Sequence, residues 1–274
     1  MKSARLLILL MVLSGFALSG CSTSEAVPET EGAPVEELYS KAAAAMDDEN
    51  YQQATVLFEE VERQHPYSQW ATRAELMAAY ASYKDLRYDE AILALDRFIE
   101  LHPGNKDIDY ALYLKALSFY EQISDIARDQ AMTQEALDSF DVLIRRFPES
   151  RYSRDAILKR DLTTDHLAGK EMEIGRYYLN RGEINAAINR FRTVIKDFQT
   201  TTHVPEALHR LVECYLTLGL RGEATRVAAV LGHNYPGNKW YEDSYKLMDR
   251  EQRLVLMEER NWLDKTVDSL FKPE

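Results

Sequence analysis

Cysteine, glycine and proline are scarce in this sequence: two, eleven and eight of 274 residues. Two cysteines exclude a disulfide framework and any cysteine-rich metal cluster. There is no Gly-rich phosphate loop, no Gly-x-Ser-x-Gly elbow and no Cys pair at metal spacing, so the common signatures of nucleotide, acyl-transfer and zinc chemistry are missing. Strand-like alternation of apolar and polar residues is also missing, which excludes a β-rich body. After residue 20 no stretch is apolar enough to cross a bilayer, a task for about 20 residues. Cations are in the minority, 33 against 45 carboxylates, for a net charge of −12. That balance argues against nucleic acid and against electrostatic docking on anionic lipid.

What is present begins at the amino terminus. Lys2 and Arg5 precede an apolar core from Leu6 to Leu18, then the small residues Ser19 and Gly20, then Cys21. This is the layout of a secretory signal. Leu-Ser-Gly-Cys resembles the lipobox of bacterial lipoproteins, in which the cysteine is lipidated and becomes the first mature residue. The resemblance makes Cys21 an acyl attachment point, and Ser22, in place of an aspartate, points to the outer membrane. Cys214 lies in "LVECYLTL" and reads as a small buried hydrophobe, so no disulfide is expected. Loss of residues 1–20, with two cations and no carboxylate, takes the formal charge from −12 to −14. Residues 21–34 then read as the lipidated cysteine and a disordered tether, whose thirteen residues after Cys21 span roughly 20 Å.

The rest of the chain aligns on itself. "YQQATVLFEEVERQHP", "YDEAILALDRFIELHP", "TQEALDSFDVLIRRFP", "INAAINRFRTVIKDFQ" and "RGEATRVAAVLGHNYP" superpose without gaps. Ala54, Ala91, Ala136, Ala187 and Ala224 share one column; four residues on come Phe58, Leu95, Phe140, Phe191 and Ala228; eight further stand Pro66, Pro103, Pro148, Gln199 and Pro236. This is the Ala-x3-Phe…Pro half of the tetratricopeptide repeat. Gly175 and Tyr178 supply the helix-A half in repeat four, and Gly182 marks its turn. Small residues let antiparallel helices approach, a large neighbour fills the space beside them, and proline stops the second helix. The alanine spacings of 37, 45, 51 and 37 residues imply an insertion near "SDIARDQAMTQ" and a long helix leading into repeat four. The fold class is all-α, a superhelical solenoid of five helix pairs with a C-terminal helical extension. Its parts are repeats one to three (35–148), repeats four and five with the connecting helix (149–236), and the extension (237–274), which either caps the solenoid or docks an accessory subunit.

Neither histidine nor carboxylate suggests a catalyst. His65 and His102 occupy the column where other repeats place Phe147, Phe198 and Tyr235, and His203 and His209 are six apart, off the i, i+4 spacing of a helical metal pair. No metal, no cofactor and no enzymatic activity are expected. The candidate surface is the concave face lined by the first helix of each repeat. It is expected to carry Glu36, Tyr39, Ala43, Met46 and Asp47, then Arg73, Leu76, Tyr80, Tyr83 and Lys84, then Tyr110, Tyr113, Leu117, Tyr120 and Glu121. Nine of the sixteen tyrosines fall between residues 39 and 120. Tyrosine offers rigid apolar area with a hydrogen-bonding tip, suited to an extended peptide.

"LDRFIELHPGNKDIDYALYLKALS", "MEIGRYYLNRGEINAAINRF" and "HPYSQWATRAELMAAYASYK" resemble the BamD family, the tetratricopeptide-repeat lipoproteins of the outer-membrane β-barrel assembly machinery, over residues 35 to 236. The resemblance implies a lipid-anchored scaffold on the periplasmic face of the outer membrane. It implies binding to the periplasmic domains of the barrel-forming subunit BamA, to other assembly lipoproteins and to unfolded β-barrel proteins. It assigns the BamA contact to the carboxy-terminal repeats, mapping best at Arg181 and Arg190, and substrate signals to the amino-terminal repeats, where the repeat columns give a groove of Arg73, Tyr80, Tyr83, Lys84, Tyr110, Tyr113 and Tyr120. Two departures from the family pattern stand out: Gln199 replaces the repeat-ending proline, and residues 237–274 run past the last repeat. Two other readings remain open at this point, a periplasmic adaptor lipoprotein that recruits cell-wall or division proteins and a hydrolase with an unrecognised site.

Overall fold

The computed structural model describes residues 32–257. Cys21, the signal, most of the tether and the apolar residues Trp262, Leu263, Val267 and Phe271 lie outside them. Five antiparallel helix pairs follow in chain order: α1 (Val35–Asp47) with α2 (Tyr51–Gln64), α3 (Gln69–Lys84) with α4 (Tyr88–Leu101), and α5 (Ile108–Tyr120) with α6 (Ala131–Arg146). Then come α7 (Ser153–Asn180) with α8 (Ile184–Asp197), and α9 (Val204–Thr217) with α10 (Arg221–Asn234). α11 (Lys239–Leu247) and a helical stretch at 250–257 close the described chain. Each helix packs on the next, and α1 also touches α3, α3 touches α5 and α5 touches α7. First helices therefore line one common surface, as the repeat pattern implies.

The repeat columns are the core. All five column alanines and Phe58, Leu95, Phe140, Phe191 and Ala228 are fully buried. The ends of the second helices are equally regular. His65, His102, Phe147, Phe198 and Tyr235 cap them with φ between −134° and −125° and ψ between 44° and 62°. Phe198 keeps this geometry although Gln199, not proline, follows it, so the terminating conformation does not depend on the imino acid. The turns inside four repeats place Glu49, Leu86, Gly182 and Gly219 at φ of 59°, 61°, 78° and 75°. Glycine suits that left-handed position; glutamate and leucine occupy it under strain.

The two long spacings have separate physical causes. Residues 121–130 form the insertion, and α7 holds it: Gln130 Oε1 lies 3.0 Å from His166 Nδ1, Lys170 Nζ donates to the Ala127 carbonyl at 3.0 Å, and Ile126 packs against Gly169. The second gap is α7 itself, 28 residues without a break, the long connecting helix that the spacing requires. At the far end Met248 and Leu256 join the buried cluster of repeats four and five. Gln252 Nε2 donates to the Arg221 carbonyl at 3.3 Å and to Thr225 at 3.2 Å. The start of the extension thus covers the end of the solenoid.

Candidate peptide-binding groove

α3 contributes Tyr80 and Tyr83, α5 contributes Tyr110 and Tyr113, and Tyr152 stands immediately before α7. Their rings form a continuous run. Centroids are 6.4 Å apart for Tyr80 and Tyr110, 5.2 Å for Tyr110 and Tyr152, and 5.1 Å for Tyr152 and Tyr113, the last pair stacked at 20°. Tyr83 sits beside Tyr88 at 5.7 Å. All are half-buried, so each side chain is packed in part and open to solvent in part. Hydroxyls fix the run: Tyr113 donates to Asp155 and Ser150 donates to Asp109 at 2.6 Å, tying α5 to the start of α7. Burial, then the Glu121 carboxylate, pushes the Tyr83 hydroxyl up to about 12. Burial raises Tyr110 and Tyr113 as well, with the hydrogen bond to Asp155 adding to it at Tyr113. Tyr83, Tyr110 and Tyr113 therefore keep their protons at physiological pH and give the run polar, uncharged edges.

The other sequence-derived groove residues are spread around it. Tyr120 packs on Phe140, with Lys159 Nζ 4.9 Å from its ring centre and 3.8 Å from Asp155. Lys159 thus links Tyr120 to the Tyr113 end. Lys84 and Arg73 point toward repeat one: Lys84 Nζ is 5.6 Å from the Tyr51 ring and the Arg73 guanidinium 5.5 Å from the Tyr39 ring. Both are exposed, and among the described residues neither has a carboxylate within ion-pair distance. Arg73 also borders a depression of about 500 Å³ with Trp70, Asn105 and Lys106. Two expectations change. Tyr39 does not join the run, because it packs between Phe58 and Trp70. Leu76 does not face the open groove, because it is 92% buried in the cluster with Leu95 and Phe98. Tyr152 was missed because it precedes a helix outside the repeat columns, where no periodicity flags it.

Arg181 and Arg190 both engage α7. Arg181 ends that helix and donates to Tyr177 Oη at 2.8 Å. Arg190 Nη1 on α8 contacts both oxygens of Glu171, at 3.1 and 3.2 Å. Arg181 is exposed and Arg190 partly so, and no contact joins the two.

One arrangement resembles catalytic machinery. Ser244 Oγ lies 2.8 Å from His209 Nδ1, and His209 Nε2 lies 3.5 Å from Glu213 Oε1. Ser244 is fully buried and donates its proton to the Trp240 carbonyl at 2.9 Å, and Trp240 lies against His209. The trio fastens α11 to α9, and its hydroxyl is closed to substrate. Cys214 is buried too, and desolvation pushes its thiol up to about 11. Among the described residues no cluster of His, Cys, Asp or Glu converges as a metal site.

Comparison with known proteins adds to this geometry. Residues 31–231 match the family described as "Outer membrane lipoprotein" (YfiO). The chain is 51% identical to the Outer membrane protein assembly factor BamD of Caulobacter vibrioides, over 87% of this chain and 79% of that one. It is 46% identical to the BamD of Rickettsia prowazekii, over 92% and 100%, and 37% identical to that of Neisseria meningitidis Z2491, over 84% and 91%. With five repeats in register and a family match spanning most of its length, the chain belongs to the BamD family of outer membrane protein assembly factors.

Proposed function

We propose that the chain is a non-catalytic scaffold of outer-membrane β-barrel assembly. In this reading the aromatic run of Tyr80, Tyr110, Tyr152 and Tyr113 receives extended segments of unfolded barrel proteins. The carboxy-terminal repeats hold the periplasmic domains of BamA around Arg181 and Arg190, and acyl chains on Cys21 keep the body on the periplasmic face of the outer membrane. Other lipoproteins of the machinery complete the assembly.

The observation that carries the substrate assignment is the run itself. On an extended strand, side chains of one face recur about every 6.6–6.8 Å, close to the 5.1–6.4 Å ring spacing of the groove. Barrel strands alternate apolar and polar residues, so their aromatic residues can settle on successive rings while their backbone stays solvated. Exposed Lys84 and Arg73 are available for a terminal carboxylate. Aromatic pairs add only about 0.5–1.5 kcal/mol each beyond area burial, which suits reversible, sequence-tolerant capture.

The test places a photoreactive residue at 80, 110, 113 and 152, and at exposed Glu135 on α6. A peptide from the last strand of a barrel protein should crosslink at the first four positions and not at 135. The reverse pattern removes the assignment.

A further inference from the structure

The tyrosine run occupies the side of the first helices. A second groove lies among the last repeats, with the second helices α8 and α10 as walls and α9 as floor, and it encloses about 580 Å³. Leu208, Leu211 and Tyr215 stand at i, i+3 and i+7 on α9 and close its base, almost wholly buried, so the apolar area open to a partner is that of the walls. Val227 and Val230 supply an apolar wall, and Val230 is 47% exposed. Cations stand on the rim. Arg192 donates to Tyr215 Oη at 2.9 Å, a neutral acceptor that leaves its charge uncompensated. Lys196 is exposed as well. Among the described residues no carboxylate lies within ion-pair distance of either. Arg226 is neutralised by Glu223, and Asp197 is the other carboxylate of the lining. In a chain of net charge −12, two uncompensated cations beside an apolar trough are the reverse of the general surface.

We infer that this groove docks an acidic amphipathic helix of a partner protein. Exposed Val230, with half-buried Val227 and Ile195, gives an apolar strip against which a helix ridge can pack. Carboxylates flanking the inserted apolar residues would meet Arg192 and Lys196, whereas a basic helix would be repelled by them and left without partners. The inference uses neither the tyrosine run nor the arginines assigned to BamA, so it stands or falls apart from the proposed function.

The test uses purified protein and two fluorescent probe peptides. Both carry leucines at i, i+3, i+4 and i+7; one has glutamates on its flanks, the other lysines at the same places. The glutamate peptide should bind the native protein more tightly than the lysine peptide. Its affinity should fall by about tenfold or more in R192E/K196E and in V230D, and stay unchanged in K41E, at an exposed lysine of α1 far from both grooves. Thermal unfolding confirms that each variant folds, and R192Q/K196Q repeats the measurement without charge reversal. Equal binding of both peptides, no binding of the glutamate peptide, or indifference to R192E/K196E overturns the inference. Dimerisation of the protein alone that V230D abolishes would assign the groove to a second copy and overturn it equally.

Discussion

The ring of Phe191 occupies the space that a side chain on Gly175 would need: a Cβ built at Gly175 falls 2.5 Å from Phe191 Cε1 and 2.9 Å from Cδ1 and Cζ. Phe191 is fully buried, so its ring cannot swing into solvent. α7 and α8 cross closely here because one residue gives up its side chain and the other fills the gap. Overpacking costs about 1–3 kcal/mol, while alanine in place of glycine in a helix returns about 1 kcal/mol. Gly175→Ala is therefore expected to lower the unfolding midpoint by several degrees in a calorimetric scan. Gly222→Ala, where a Cβ meets nothing within 4 Å, should leave the midpoint unchanged or raise it.

Leu86 lends itself to the opposite experiment. It sits at φ 61° and is 70% exposed, in the turn position that Gly182 and Gly219 fill in later repeats. A left-handed conformation costs a side-chain-bearing residue about 1–2 kcal/mol, and the exposed side chain gains little packing in return. Leu86→Gly is expected to stabilise the protein by about 1 kcal/mol, which corresponds to about 2–4 °C for a chain of this size. An unchanged or lower midpoint would mean that Leu86 makes contacts that offset its strain.

The core was legible in the sequence because its chemistry repeats. Ala54 and its four counterparts, with Phe58 and its counterparts, recur at fixed offsets, and every member is buried. The insertion and α7 were legible as excess length between alanines. The groove was legible only in part, since helical columns identify Tyr80, Tyr110 and Tyr113 but not what stands opposite them. Tyr152 and Asp155 reach them from some forty residues away, a relation set by how repeats stack and not by local spacing. The same holds for Ser244 on His209 and for Glu171 beneath Arg190. Leu76 is the converse case: its column faces the groove, yet Leu95 and Phe98 cover it.

Alkaline titration reads the groove directly. The unfolded chain releases tyrosine protons near 10, whereas Tyr83 holds its proton to about 12, with Tyr110 and Tyr113 raised as well. Between these values the unfolded state binds fewer protons, so stability falls as pH rises. The contribution is complete below about pH 10 and is lost as pH passes through the folded values. Tyrosinate absorbance should accordingly show a late phase missing from the denatured protein. Asp155→Asn removes the carboxylate facing Tyr113 and should move part of that phase to lower pH. An identical curve for the variant would disprove the contact.

Arg190 has a partner within its own chain, which separates two roles that a single substitution confuses. Arg190 is 42% exposed and Glu171 19% exposed, so their pair contributes at most about 1 kcal/mol after solvent screening. Arg190→Glu should reduce retention of BamA in a pull-down more than Lys84→Glu does. The swapped double variant Arg190→Glu with Glu171→Arg restores the internal pair. It should recover the unfolding midpoint without recovering BamA. Recovery of both would make Arg190 a structural residue and return the BamA contact to other side chains.

Thiol counting tests the anchor. Cys214 is buried in α9 with its thiol raised to about 11, so it is neither exposed nor ionised at neutral pH and should resist maleimide in the folded protein. Denaturation removes that protection. If Cys21 is acylated as its lipobox-like setting implies, its sulfur is held in a thioether and never reacts. Protein extracted from membranes should then show no reactive thiol when folded and a single one in denaturant. Protein made without its first twenty residues in the cytoplasm should show a second thiol at Cys21, reactive in either state. Two thiols in the membrane-extracted protein would remove the acyl anchor and leave Ser22 and the tether without a membrane to reach.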